Sequence, residues 1–274
     1  MNISQVYAVY FSATGNTRKV TTTLANALAV SFDVPLEVRD FTLPAAREEA
    51  YEFAVGDLVV FGMPTYAGKL PNKLLDFVKS GFHGNGALAV PVVTFGNRSF
   101  DNSLAELCAC LEGDGFHTIG AGAFACRHAF TDALANGRPD SDDMAELAKL
   151  GSAVVGRIVR MTEYPAPVTV DGDADAPYYR PLGLDGEPKV FLKAKPKTDL
   201  DKCIHCGVCA SLCPMGSINP DDVTEVVGVC IKCHSCVRNC PMGAKYFDDP
   251  AFLSHRAMLE RDYMRRAEDK IFTA

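Results

Sequence analysis

Apolar positions in the first 160 residues gather into short unbroken runs: Val6–Phe11, Leu36–Phe41, Asp57–Met63, Ala87–Phe95 and Thr118–Cys126. These runs are rich in Val, Ala and Phe and do not alternate with polar residues, as expected of strands covered on both faces. Helical stretches fit between them, at Asn16–Ser31, a short Ala45–Phe53, Asn72–Gly81 and Asp101–Gly113, and a longer one, Ser141–Met161, follows the fifth run. Five strand–helix units predict an α/β fold with a doubly wound five-stranded parallel sheet and right-handed crossovers. Ligands of such sheets bind at the carboxyl ends of the strands, near the reversal in strand order.

The pattern collapses after residue 162. Pro165, Pro167, Pro177, Pro181, Pro188 and Pro196 interrupt it, and Asp171, Asp173 and Asp175 crowd its middle. Residues 163–196 therefore read as a connector with a short extended segment at Lys189–Lys193. A cysteine-rich unit follows over 197–249. An amphipathic helix, Pro250–Lys270, is predicted within 250–274 and is expected to pack back on the body.

The 274 residues are 48% hydrophobic, too apolar for a disordered chain. The longest apolar run, Ala87–Gly96, contains Pro91 and is strand-sized, far short of a membrane span. Lys and Arg total 27 against 34 acidic residues, a net charge of −7 that argues against nucleic acid or an anionic membrane as partner. The first residues carry no basic flank, apolar core or cleavage site of a signal peptide, so a cytoplasmic location is expected.

Eight of the 11 cysteines lie between Cys203 and Cys240. Cys203, Cys206, Cys209, Cys213 and Pro214 form one half-repeat; Cys230, Cys233, Cys236, Cys240 and Pro241 form the other. Both follow C-x2-C-x2-C-x3-C-P, the run in which three thiolates serve one 4Fe–4S cluster and the fourth serves its neighbour. Cluster one would take Cys203, Cys206, Cys209 and Cys240; cluster two would take Cys230, Cys233, Cys236 and Cys213. Zinc also accepts C-x2-C pairs, but it has no use for a third evenly spaced cysteine and a distant fourth, repeated twice. This segment resembles bacterial two-cluster ferredoxins, which implies a small α+β domain. His205 and His234, inside the ligand loops, read either as exposed loop residues or as proton-coupled tuners of the cluster potential. Cys108, Cys110 and Cys126 read as small buried hydrophobes.

Ser12-Ala13-Thr14-Gly15-Asn16-Thr17 follows the first strand and opens a helix. Hydroxyls, an amide and a flexible Gly at a helix N-terminus make a phosphate site. Asn16 rather than a Lys follows Gly15, so the loop is not a Walker A loop and suits a monophosphate rather than a triphosphate with magnesium. It resembles the (S/T)-x-T-G-x-T signature of flavodoxins, whose strand pattern agrees over residues 1–162. The resemblance implies FMN, its phosphate held by Ser12, Thr14, Gly15, Asn16 and Thr17. It places two more strand-end loops at the ring: Pro64, Thr65, Tyr66, Ala67 and Gly68, and then Phe95, Gly96, Asn97, Arg98, Phe100 and Asp101. Tyr66 is the expected stacking residue, since the chain has no Trp. Gly68 would permit a peptide rearrangement beside the flavin N5.

Arg98 reads either as a surface residue or as a cation at the flavin N1/O2 edge. His128, ending the fifth strand, reads either as a satisfied loop residue or as a ligand-site group. Together they are the candidate catalytic pair, as proton donor or anion clamp. Gly120-Ala121-Gly122-Ala123-Phe124-Ala125 matches a dinucleotide fingerprint but lies within a strand, where that motif has no function.

The whole chain resembles flavodoxin–ferredoxin fusion proteins of anaerobic bacteria, including those called EFR-type ferredoxins, with FMN and two 4Fe–4S clusters. Two functions follow. In the first, the clusters feed the FMN, which reduces a small-molecule acceptor. In the second, the chain is an adaptor that docks on other redox proteins without substrate chemistry. Residues 195–274 hold 11 basic and 11 acidic side chains, and 1–194 hold 16 and 23. Oxidised clusters add about −2 each, so a low-potential donor protein with a basic docking surface is expected. Whether the clusters approach the flavin within one chain or across a homodimer stays open at this point.

Overall fold

The computed structural model describes residues 2–273. Strands β1 (Gln5–Tyr10), β2 (Leu36–Asp40), β3 (Asp57–Pro64), β4 (Leu88–Phe95) and β5 (Ala121–Ala125) pair in parallel in the order β2-β1-β3-β4-β5. This is the flavodoxin-like order, with its reversal beside β1. Helices α1 (Asn16–Phe32) and α4 (Ser141–Arg160) cover one face. Their core includes Leu24, Leu28, Leu150 and Val154 packed on Ala8, Val60 and Val90. Helices α2 (Leu75–Ser80) and α3 (Ser103–Gly113) cover the other, over Val59, Phe61 and Val93. Alternate residues of each strand thus enter different cores, which is why the runs lack polar positions.

The fifth run is broken at Gly120 into a short Thr118 pairing and β5. A Cβ at Gly120 would stand 3.0 Å from Val154, and one at Gly122 would stand 3.0 Å from Leu150. Small residues there let α4 approach the sheet; the fingerprint-like sequence is a packing surface.

Two predicted helices are corrected. Ala45–Phe53 forms one 3-10 turn, Pro44–Arg47, and then an extended Tyr51–Glu52 paired with Phe82–His83. Tyr51 stacks on Phe82 at 5.2 Å, a contact an extended backbone allows. The C-terminal helix, labelled α7 after two short helices described below, spans Pro250–Asp262 and stops. The chain then runs back to the N-terminal sheet, where β6 (Lys270–Phe272) pairs antiparallel with β5. Asn97 holds the turn-back: its Nδ2 donates to the carbonyls of Tyr263 and Arg265 at 2.6 and 2.7 Å, and its Oδ1 accepts from Ala267 N–H at 3.2 Å. The sheet therefore gains an antiparallel edge strand from Lys270–Phe272, beside the five parallel strands and the short His117–Thr118 pairing.

The connector is bound along its length rather than free. Tyr178 donates to Leu70 O and Tyr179 N–H to Ala67 O, both at 2.8 Å. Lys69, paired with buried Glu106 at 3.0 Å, donates to the carbonyls of Ala174 and Ala176. The cysteine-rich unit carries the two short helices α5 (Val208–Ser211) and α6 (Ser235–Arg238) beside a small antiparallel pairing of Lys197–Thr198 with Lys245–Tyr246. No helix among the described residues is long and apolar enough to cross a membrane.

Candidate functional site

Gly15, at φ 90°, turns the chain from β1 into α1 and, as the N-cap residue, has no side chain to offer the first turn. The backbone N–H groups of Thr14, Gly15, Asn16 and Thr17 have no protein acceptor among the described residues. Such unpaired donors at a helix N-terminus fit a phosphate group. The side chains divide the work. Ser12 Oγ accepts from Arg18 N–H at 3.0 Å and shapes the loop from behind. Thr17 is bonded to Thr94 through their hydroxyls at 2.8 Å, and Asn16 donates to Arg127 O at 3.0 Å. The Thr14 hydroxyl has no partner among the described residues and lines the cavity.

This loop opens on a cavity of about 230 Å³ that also meets Pro64, Thr65, Tyr66, Ala67, Gly68, Phe95, Gly96, Arg98 and His128. Five predicted residues, Ser12, Gly15, Asn97, Phe100 and Asp101, do not line it. Asn97 is committed to the C-terminal turn-back, and Phe100 packs on Phe95 at 5.7 Å. Asp101 pairs with the Arg98 guanidinium. It also explains Gly68: with Ala67 at φ 49° and Gly68 at φ 79°, Tyr66 and Lys69 exchange backbone hydrogen bonds in a tight turn. A Cβ on Gly68 would strike the Asp101 carboxylate.

Arg98 lies over the Tyr179 ring at 3.9 Å, so its charge is held between an aromatic face and a carboxylate. The His128 ring packs close to Gly96, where an added Cβ would strike it, and its Nδ1 accepts from Phe130 N–H at 3.1 Å. Burial, reinforced by His255, Arg238 and Arg98, pushes its pKa down to about 3, so the ring is neutral with its proton on Nε2.

Among the wall residues that sequence reasoning missed are Tyr179 and Phe191 from the connector, Ile231 and Lys232 from a cysteine loop, and His255 and Leu259 from α7. Tyr and Phe among the prolines of a supposed linker were the available signal.

The eight cysteines divide between two smaller cavities. Cys203, Cys206, Cys209 and Cys240 line one; Cys213, Cys230, Cys233 and Cys236 line the other. Backbone N–H groups of Ser217, Lys232 and Ala244 reach the sulfurs of Cys213, Cys230 and Cys240 at 3.2–3.4 Å. Donors aimed at the sulfurs suit thiolates. The half-repeats match in backbone as well: His205 and Gly207 in the first, and Lys232 and His234 in the second, all have positive φ. Contrary to its reading as an exposed residue, His234 is 5% exposed and stacks on Phe247 at 4.7 Å.

The second cysteine cavity is clamped to the sheet domain within this chain. Arg47 donates to Pro214 O at 2.6 Å while also holding the carbonyls of Phe41 and Thr42. From the other side, Arg238 donates to the carbonyls of His128 and Ala129 at 2.8 and 2.9 Å. Ile231 and Lys232, between Cys230 and Cys233, form part of the larger cavity's wall. Tyr66 stands beside them, and burial together with the nearby Cys233 and Cys230 thiolates raises its pKa well above 10.0. The first cysteine cavity faces outward: Cys206 is exposed, with Ile204 and Met242 beside it.

Residues 195–241 match the family model of the 4Fe-4S dicluster domain, so this segment is a two-cluster iron–sulfur unit. No curated protein matches the chain in sequence. Among solved structures, a flavodoxin from the domain Archaea is 16% identical, aligned over 57% of this chain and 99% of its own, with a TM-score of 0.39. The apo form of an NADH:FMN oxidoreductase is 15% identical over 58% of this chain and 91% of its own, with a TM-score of 0.37. Rubredoxin oxygen:oxidoreductase from the anaerobe Desulfovibrio gigas is 15% identical over 58% of this chain, which covers only 37% of that protein, with a TM-score of 0.35.

Proposed function

We propose that the chain is an iron–sulfur flavoprotein oxidoreductase in which two 4Fe–4S clusters and FMN make one electron route inside a single chain, ending on a small acceptor at the flavin. The observation that carries this reading is the shared wall: Ile231 and Lys232, flanked by Cys230 and Cys233, line the cavity that the α1 N-terminus opens on. Cluster two, on Cys213, Cys230, Cys233 and Cys236, is the proximal one. Cluster one, on Cys203, Cys206, Cys209 and Cys240, faces the donor, a low-potential redox protein with a basic docking surface. The unpaired N–H groups from Thr14 to Thr17, with the Thr14 hydroxyl, hold the FMN phosphate, and the 64–68 and 95–98 loops flank the ring. When bound, the clusters carry single electrons and FMN stores two.

His128 is neutral and offers an N–H donor, so it orients a ligand by hydrogen bonding. Arg98 is engaged with Asp101, which weakens it as an anion clamp. Both features fit a neutral acceptor better than an anionic one.

The test removes two ligands of cluster two with Cys230→Ser and Cys233→Ser. FMN should still bind, because none of the groups assigned to hold its phosphate or ring lies within the cysteine unit. Flavin reduction by reduced ferredoxin should slow at least a hundredfold, while a small diffusible reductant should still work. Unchanged reduction by ferredoxin would take cluster two off the route and favour the adaptor reading.

A further inference from the structure

The larger cavity holds three polar groups whose hydrogen-bonding senses the structure fixes. His128 has its Nδ1 lone pair occupied by Phe130 N–H, so its Nε2 presents a donor. His255, on α7, is the reverse. Its Nδ1 lies 2.8 Å from Leu182 O, which only accepts, so the proton is on Nδ1 and Nε2 is a lone-pair acceptor. That Nε2 has no protein partner among the described residues, and His255 lines the cavity. Arg98 contributes further N–H donors beyond the one engaged by Asp101. Aromatic rings of the wall tie them together: Tyr179 lies 3.9 Å from the Arg98 guanidinium and 6.5 Å from His255, and Phe130 lies 4.9 Å from His128. Around them the wall is aromatic, with Phe130, Phe191 and Tyr179.

A cavity that offers one acceptor and two donors is complementary to a ligand edge with one donor and two acceptors. An imide has that edge: one N–H between two carbonyls. The oxidised flavin ring carries a single N–H, at N3, flanked by the carbonyls at C2 and C4. We propose that His255 Nε2 accepts the flavin N3–H, while His128 Nε2–H and Arg98 donate to the two adjoining carbonyls. This rests on FMN as the cofactor and makes α7, which lies outside the five parallel strands and their crossover helices, the element that recognises the ring. A buried acceptor left without its donor is penalised more heavily than a lost surface contact, so the site should reject a ring that lacks the N–H.

The test uses protein freed of flavin with its clusters intact, kept anaerobic and titrated with FMN and with N3-methyl-FMN by flavin fluorescence. The wild type should bind the methylated cofactor at least tenfold more weakly. His255→Ala, which removes the acceptor and opens space for the methyl group, should weaken FMN and reduce the difference to less than about twofold. His255→Gln, whose amide oxygen still accepts, should restore part of it. His128→Leu should weaken both ligands alike and leave the difference intact. Retained iron–sulfur absorption reports that each variant has folded. Equal binding of the two flavins by the wild type, or a full difference in His255→Ala, would overturn the assignment while leaving FMN as cofactor. Failure of the wild type to bind FMN at all would remove the cofactor reading and this one with it.

Discussion

The hydroxyls of Thr14 and Thr17 stand three residues apart in one loop and have different tasks. Both residues line the cavity, but the Thr17 hydroxyl is buried and bonded to Thr94, whereas that of Thr14 has no partner among the described residues. A hydrogen bond to a charged group contributes about 1.5–3 kcal/mol, so Thr14→Val should weaken FMN binding by at least about tenfold and leave the urea midpoint of the flavin-free protein unchanged. Thr17→Val strands the Thr94 hydroxyl in the core and should cost about 1–2 kcal/mol of stability, with little direct effect on FMN. If Thr17→Val instead weakened FMN binding as much as Thr14→Val, the division of roles would be wrong. The loop was legible in the sequence because its residue types suit a helix N-terminus. The division between the two threonines was not, because it depends on Thr94, a residue 77 positions away.

The C-terminal segment shows the same dependence for whole elements. Long, strongly apolar strands and the amphipathic α4 could be read directly. Three-residue β6 could not: its pairing is decided by Asn97 and by Asp269, whose Oδ1 accepts from Ala125 N–H at 2.8 Å beside Arg138 at 3.1 Å. Burial and the neighbouring Asp143 push the Asp269 pKa up to about 7, against about 3.9 for an unfolded Asp. Between these values the docked tail binds more protons than the released one. The contribution of this group to docking is therefore greatest at low pH and declines as pH rises toward 7. Corrected hydrogen-exchange protection of the Lys270–Phe272 amides should be lower at pH 8 than at pH 5.5, and Asp269→Asn should flatten the profile. Protection rising over that range would contradict the placement of the proton on Asp269.

At the scale of the molecule, the Pro/Asp-rich segment departs furthest from its sequence reading. Proline and aspartate speak against regular secondary structure but not against attachment, and here Tyr178, Tyr179 and Phe191 fasten an irregular chain over the cavity. The cysteine spacing, by contrast, anticipated which four thiols line each smaller cavity, because the repeat is local and its loops are tight. Arg47 and Arg238 then set the two domains against each other within one chain. Electron transfer from the clusters to the flavin should accordingly be first order, with a rate constant unchanged on tenfold dilution. A rate that falls with protein concentration would place the contact between two chains.

The bond from Ala125 to Asp269 closes a loop of 144 residues. During synthesis the edge of β5 must wait, unpaired, until both cysteine repeats have left the ribosome, and the entropy of so long a closure delays the contact further. Iron–sulfur assembly on the nascent chain thus has a head start over enclosure of the flavin. A chain cut short before Asp269 should present the β5 edge bare, open to aggregation and to proteases.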